Sequence, residues 1–207
     1  MLHIGITGGV GAGKSEILKY LEQEYNCRVL LADEVAHDLM EPGTDCYSRL
    51  RQLFAGDGVF AEDGRIDRPA LARVLFSDEE KRKACDGIVH PAVWDAVAKQ
   101  AEEERRRGAL DLFVSEAALL QDEKEDAIRD EVWYIYTSEA NRRARLKKSR
   151  GYSDQKIDGI FGSQMGEEEY RRRCAAEIDN NRTPAEAFAQ IDRLLLARGI
   201  RKKGSME

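Results

Sequence analysis

The sequence has little of what marks a secreted, metal-stapled or membrane-spanning chain. Four cysteines occur in 207 residues, and none of Cys27, Cys46, Cys85 and Cys174 forms a C-x-x-C pair. The histidines, His3, His37 and His90, are scattered. These counts argue against a zinc site or a disulfide framework and leave reduced thiols as the expectation. No apolar run approaches the roughly 20 residues that cross a bilayer. Met1-Leu2-His3-Ile4 has no basic region and is strand-like from the start, so no signal peptide is expected and the location read is cytoplasmic. There is no internal repeat and no low-complexity tract. Charge of a single sign is lacking too: 33 Lys and Arg stand against 39 Asp and Glu, a net charge of −6. That mixture argues against unspecific nucleic-acid binding. Neither nucleic acid nor a membrane is an expected partner. The length fits one domain with an inserted subdomain.

What is present is organised around Gly8-Gly9-Val10-Gly11-Ala12-Gly13-Lys14-Ser15, which fits G-x-x-x-x-G-K-[ST]. Leu2, Ile4 and Ile6 before it read as a buried strand, and Ile17, Leu18 and Leu21 after it recur at helical spacing. Strand, glycine loop and helix are the context a P-loop needs. Glycines let successive backbone N–H groups approach a phosphate, and the helix starting near Lys14 aims its positive dipole end at the same place. Lys14 then reaches the outer phosphates, and the Ser15 hydroxyl is placed to ligate Mg²⁺.

Cys27 to Asp33 reads as a second buried strand ending in an acid. In open α/β sheets ligands bind beyond the carboxyl ends of strands. Asp33 is therefore a general base or Mg²⁺ partner on one reading. On the other it is the N-cap of a helix from Glu34 to Met40. Glu41-Pro42-Gly43 stops that helix. From Tyr47 to about Gln100 the pattern is helical with no convincing strand. Asp67 reads as a helix cap, and Ser77-Asp78-Glu79-Glu80 as a capping box with Ser77 at the cap. His90-Pro91 reads as a helix start, with the proline in the first turn. Glu102 to Arg107 reads as a solvated helix end.

Leu110 to Val114 and Glu131 to Tyr136 read as the third and fourth strands. Ser138 to Arg150 is a basic helix carrying Arg142, Arg143, Arg145, Lys147, Lys148 and Arg150. Most of these six are expected on an exposed face. One or two are expected to act as a lid that brings an arginine to the transferring phosphate. Ser153 reads as the cap of a further helix reaching Gln164. Ala176 to Asn181 reads as a last strand and turn. Thr183-Pro184-Ala185-Glu186 combines a capping box with a proline at the first helical position, and Phe188, Ile191, Leu194 and Leu195 form one face of the final helix. Strands alternating with helices predict an α/β fold, a three-layer parallel sheet with a helical insertion.

At this point the residues resemble a known family, dephospho-CoA kinase, the last enzyme of coenzyme A biosynthesis. The likeness runs from the first strand to the last helix. It rests on Ile6 through Ser15, Ala32-Asp33, Glu41-Pro42-Gly43, Asp63-Gly64-Arg65-Ile66-Asp67-Arg68, Leu71, Phe76, His90-Pro91, Arg145-Leu146, Gln164 and Ile178-Asp179-Asn180-Asn181. The resemblance implies a P-loop kinase that uses ATP and Mg²⁺ to phosphorylate the ribose 3′-hydroxyl of dephospho-CoA, giving CoA and ADP. It implies a nucleotide-binding core over 1–40, 108–137 and 174–200, a helical CoA-binding subdomain over 45–107 and a lid over 138–165. It implies that Asp33, Lys14 and Arg145 are catalytic. Gly9, Gly11, Ala12, Gly13, Lys14, Ser15 and Glu16 would hold the nucleotide, Ser15 the metal, and Asp33, Arg68 and His90 the acceptor. A monomer is favoured, with the oligomeric state otherwise unread.

Several positions depart from the family pattern. Leu31 replaces an acid two residues before Asp33. Ser149, followed by Arg150, stands where a second lid arginine often follows Arg145. Ala118-Leu119-Leu120-Gln121-Asp122 replaces Pro-Leu-Leu-x-Glu, Cys174-Ala175 replaces Ala-Asp, and Glu16 replaces a hydroxyl residue. Rival readings are another small-molecule P-loop kinase, acting on a nucleoside or nucleotide, and a non-catalytic nucleotide-binding regulator. A GTPase would need Asn-Lys-x-Asp, which Asn180-Asn181-Arg182-Thr183 does not fit.

Overall fold

Short apolar runs rich in β-branched and aromatic residues become five strands. The computed structural model describes residues 1–116 and 128–204. The strands are β1 (Leu2–Thr7), β2 (Cys27–Leu30), β3 (Leu112–Glu116), β4 (Glu131–Tyr136) and β5 (Ala176–Asp179). All pairs are parallel, and the order is β2-β3-β1-β4-β5. Ile4, Ile6, Phe113, Val114, Trp133 and Ile135 are fully buried. Continuous apolar runs of this kind suit parallel strands covered on both faces. β1 is central, so the glycine loop leaves the middle of the sheet.

Two compact units divide the chain, Met1–Leu30 with Ala101–Glu207, and Leu31–Gln100. In the first, α1 (Lys14–Glu24) packs against the final helix, Pro184–Ala197. Tyr20 stacks on Phe188 at 3.9 Å, and both Tyr20 and Tyr25 donate to Asp192. The final helix starts as expected, with the Thr183 hydroxyl accepting from the Glu186 N–H. Glu139–Arg150, Asp154–Gly162 and Glu167–Arg173 form three further helices of this unit.

The second unit is helical. It holds α2 (Ala32–Leu39), α3 (Asp45–Leu53), α4 (Arg68–Ser77) and α5 (Glu79–Arg107) as far as Gln100. Its core gathers Cys46, Leu50, Phe54, Val59, Leu71 and Cys85. Asp67 caps α4 as expected, accepting from the Ala70 N–H at 3.0 Å. With α6 for Glu139–Arg150, α7 for Asp154–Gly162, α8 for Glu167–Arg173 and α9 for Pro184–Ala197, the order is complete among the described residues.

Five local expectations are corrected. Asp78, not Ser77, caps α5: its carboxylate accepts from the Lys81 N–H at 2.9 Å, while the Ser77 hydroxyl donates back to Val74 within α4. His90-Pro91 does not start a helix. Pro91 lies inside α5, which runs unbroken from Glu79 to Arg107. Cys85, Val93, Val97 and Ala101 are buried at multiples of four along it, so burial of one face outweighs the lost backbone hydrogen bond. The Glu102 to Arg107 run is not wholly solvated: Glu104 is buried and pairs with Arg28 at 2.7 Å and Arg107 at 2.9 Å. β2 ends at Leu30, so Asp33 is already helical, and the N-cap of α2 is Leu31. β3 lies two residues later than expected and ends in Glu116. The Ala118 to Asp122 departure falls outside the described residues.

Candidate active site

Two glycines of the loop take a backbone that favours glycine. Gly11 and Gly13 have φ of 85° and 92°, a left-handed backbone that other residues resist. Gly13 is also hemmed in, since a Cβ there would lie 2.4 Å from the Asn180 Nδ2. Lys14 opens α1 directly after this turn, and Ser15 and Glu16 are exposed in its first turn. A carboxylate in that turn complements the helix dipole, which accounts for Glu16.

The loop is tied down by its carbonyl groups. Lys14 Nζ donates to the Gly8 carbonyl at 2.9 Å. The Ala12 carbonyl accepts from Asn180 Nδ2 at 2.8 Å, Thr137 Oγ1 at 3.0 Å and Arg145 Nη1 at 3.1 Å. Arg142 Nε donates to the Val10 carbonyl at 2.9 Å. A peptide N–H points opposite to its carbonyl, so holding the Gly8, Val10 and Ala12 carbonyls turns the Gly9, Gly11 and Gly13 N–H groups the other way, as in backbone that binds anions. Lys14 also faces Glu116 at 3.6 Å, so a carboxylate at the end of β3 stands beside the P-loop lysine.

Of the six basic residues on α6, Arg142 and Arg145 reach the loop. Arg145 spreads its guanidinium over Ala12, Thr137 and the Asn180 carbonyl, the last at 2.7 Å. Arg143 instead pairs with Glu139, Asp154 and Asp158, and Lys147 with Asp154, which tie α6 to α7. Arg150 lies over the Tyr152 ring at 5.8 Å and lowers the affinity of its hydroxyl for a proton. Ser149 donates to the Arg145 carbonyl of its own helix at 2.8 Å.

Asp33, Arg68 and His90 belong to the helical unit, on three different helices. Asp33 is exposed in the first turn of α2 and is not its cap. Arg68 is exposed at the start of α4. His90 is partly exposed on α5, with Asp86 at 3.8 Å. Sequence reasoning named no role for Glu116, Thr137 or Asn180. The strand-end rule that pointed to Asp33 applies equally to Glu116, and Thr137 and Asn180 follow β4 and β5 in the same way.

A family model described as dephospho-CoA kinase matches residues 2–186. A dephospho-CoA kinase of Symbiobacterium thermophilum is 35% identical over 91% of this chain and 78% of its own length. One from Geobacter sulfurreducens is 34% identical over 92% and 95%. The chain belongs to the dephospho-CoA kinase family. Among solved structures, a Thermus thermophilus protein shares 29% identity with a TM-score of 0.77, covering 95% of this chain and 97% of that one. The Campylobacter jejuni dephospho-CoA kinase shares the fold, with 20% identity and a TM-score of 0.65 over 95% and 98%. Leu31 stands at the N-cap of α2 with no side-chain cap, and the Ala175 N–H donates to the Val132 carbonyl at 2.8 Å.

Proposed function

We propose that this chain transfers the γ-phosphoryl group of ATP to the ribose 3′-hydroxyl of dephospho-CoA, giving CoA and ADP. The observation that carries the reading is the match to one kinase family over residues 2–186, P-loop included. The glycine loop, with Lys14, receives the β- and γ-phosphates. Arg145 steadies the loop from behind through the Ala12 carbonyl. Asp33 accepts the proton of the attacking hydroxyl as general base. Its exposed carboxylate, which does not serve as the cap of α2, supports that role. The helical subdomain over 45–107 is the proposed acceptor-binding part, with Arg68 and His90, and 138–165 the proposed lid.

Mg²⁺ fits the oxygen donors at hand. The described residues hold no group of three or more His, Cys, Asp and Glu able to bind a metal. A metal here would take most of its ligands from phosphate and water, as Mg²⁺ does. The Ser15 hydroxyl would ligate it, and Glu116 beside Lys14 would hold its water. When bound, the ion neutralises charge on the transferring phosphoryl group.

Purified protein is expected to convert dephospho-CoA to CoA with Mg-ATP, in a panel that also offers nucleosides, nucleotides and other small alcohols. Turnover of a nucleoside with none of dephospho-CoA would end the assignment.

A further inference from the structure

Arg142 sits in a seat that its sequence position does not announce. Its guanidinium is enclosed on four sides. Nε donates to the Val10 carbonyl at 2.9 Å, and Nη2 donates to the Gln164 side-chain oxygen. The Phe161 ring lies 4.3 Å away as a π-face. On the remaining side is Gly9, whose missing side chain leaves the room the guanidinium fills. The Gln164 oxygen faces the Val10 N–H as well, at 3.4 Å. One residue of the loop, Val10, is thus gripped at its N–H by Gln164 and at its C=O by Arg142.

The grip has an electrical consequence. The Val10 carbonyl and the Gly11 N–H belong to one peptide group. A cation on the oxygen draws electron density along that group and makes its N–H a stronger donor, by about 10–30% for coupled hydrogen bonds. Burial makes the cation costly to keep, so its pKa is lowered, while Tyr134, Tyr170, Glu139 and Glu167 surround it and favour it. Arginine stays charged in such surroundings and keeps its planar fork, so the charge persists at the loop.

We infer that Arg142 is a positioning residue for the triphosphate: acting through the Val10–Gly11 peptide, with Gln164 and Phe161 holding its guanidinium, it aims and strengthens the Gly11 N–H toward phosphate oxygen. It acts through backbone and does not touch the nucleotide. The inference rests on the reading of this loop as the ATP site, and it makes α6 and the α7 end part of the phosphate cradle.

The test compares Arg142→Ala, Arg142→Lys and Phe161→Leu with the unaltered protein. Calorimetry gives Kd for ATP, ADP and dephospho-CoA, and thermal unfolding gives Tm. Arg142→Ala is expected to weaken ATP and ADP about tenfold, the scale of one hydrogen bond to a charged group. The Kd of dephospho-CoA and the Tm stay near their original values. Arg142→Lys recovers part of the loss, because it keeps the charge without the fork. Phe161→Leu, which loosens the seat without touching the loop, shows a smaller loss of the same kind. Unchanged Kd for ATP in Arg142→Ala overturns the inference. So does equal weakening of ATP and dephospho-CoA. Should Arg142→Ala fail to fold, Arg142→Lys and Phe161→Leu decide in the same way, and unchanged ATP affinity in both overturns it. ATP affinity is read without any acceptor. An unaltered protein that binds ATP but makes no CoA would therefore sink the acceptor assignment and leave the Arg142 comparison intact.

Discussion

The Arg142 guanidinium occupies the space that a side chain on Gly9 would need: a Cβ at Gly9 would lie 2.3 Å from its central carbon. Gly9 is absent from the positive-φ glycines, so contact and not backbone conformation demands a glycine there. The two residues are far apart in sequence and meet because α6 returns to the loop that follows β1.

That relationship makes Gly9→Ala a conditional lesion. Alanine is expected to push the guanidinium out of its seat and weaken ATP binding several-fold. In an Arg142→Ala background the same substitution should cost much less, since the clash is gone. A double-mutant cycle on ATP Kd measures the coupling, which for residues in contact is about 0.5–3 kcal/mol. Equal penalties in both backgrounds would mean that Gly9 is required for another reason.

For Asp33, Asp33→Asn is expected to lower kcat roughly a hundredfold or more with ATP affinity unchanged, as loss of a general base requires. Asn keeps the size and removes the proton acceptor. Single-turnover rates and calorimetric ATP binding separate the two effects. Turnover close to that of the unaltered protein would remove Asp33 from the proton-transfer step.

Glu116 faces Lys14 at 3.6 Å from the end of β3. Glu116→Gln keeps the shape and deletes the charge. The expected result is a several-fold rise in the Mg²⁺ concentration giving half-maximal rate, with the fold intact. A magnesium titration of initial rate, at fixed ATP, checks it. An unchanged midpoint would confine Glu116 to orienting Lys14.

His3 gives a stability prediction. It is a buried residue of β1, with Nδ1 2.9 Å from the Ile128 carbonyl and Nε2 3.0 Å from the Ser115 hydroxyl, to which Arg129 also donates. Burial first, then the Arg129 charge, pushes its pKa from 6.5 down to about 4. The unfolded chain therefore binds a proton between pH 6.5 and 4 that the folded chain refuses. The His3 contribution to stability is complete above pH 6.5, falls as the pH drops toward 4, and changes no further below that. The loss across the window is about 3 kcal/mol. Urea unfolding at several pH values should show a shallower acid slope for His3→Gln than for the unaltered protein. Parallel slopes would show that His3 protonates alike in both states.

Much of this molecule is legible in its sequence. The P-loop declared itself because its chemistry is local: glycine dihedrals, a lysine and a hydroxyl within eight residues. The caps at Asp67, Ser153 and Thr183 were equally readable, since each hydroxyl or carboxylate serves an N–H three residues on. Asp78 escaped because it and Ser77 compete for one cap, and the end of α4 claims Ser77. Pro91 escaped because propensity marks a break, and only the buried face of α5 overrides it.

The sequence by itself determined the alternation of strands and helices, the phosphate-binding loop and the kinase family. These follow from periodicity, turn chemistry and short motifs, all carried within a few residues. Tertiary structure alone decided that Arg142 and Arg145, out of six cationic residues on one helix, hold the loop, that Glu116 stands beside Lys14, and that Glu104 is buried against Arg28. Charge pattern along a helix does not say which residue meets a distant backbone carbonyl. That choice is made when the sheet order brings α6, β3 and β5 around the end of β1.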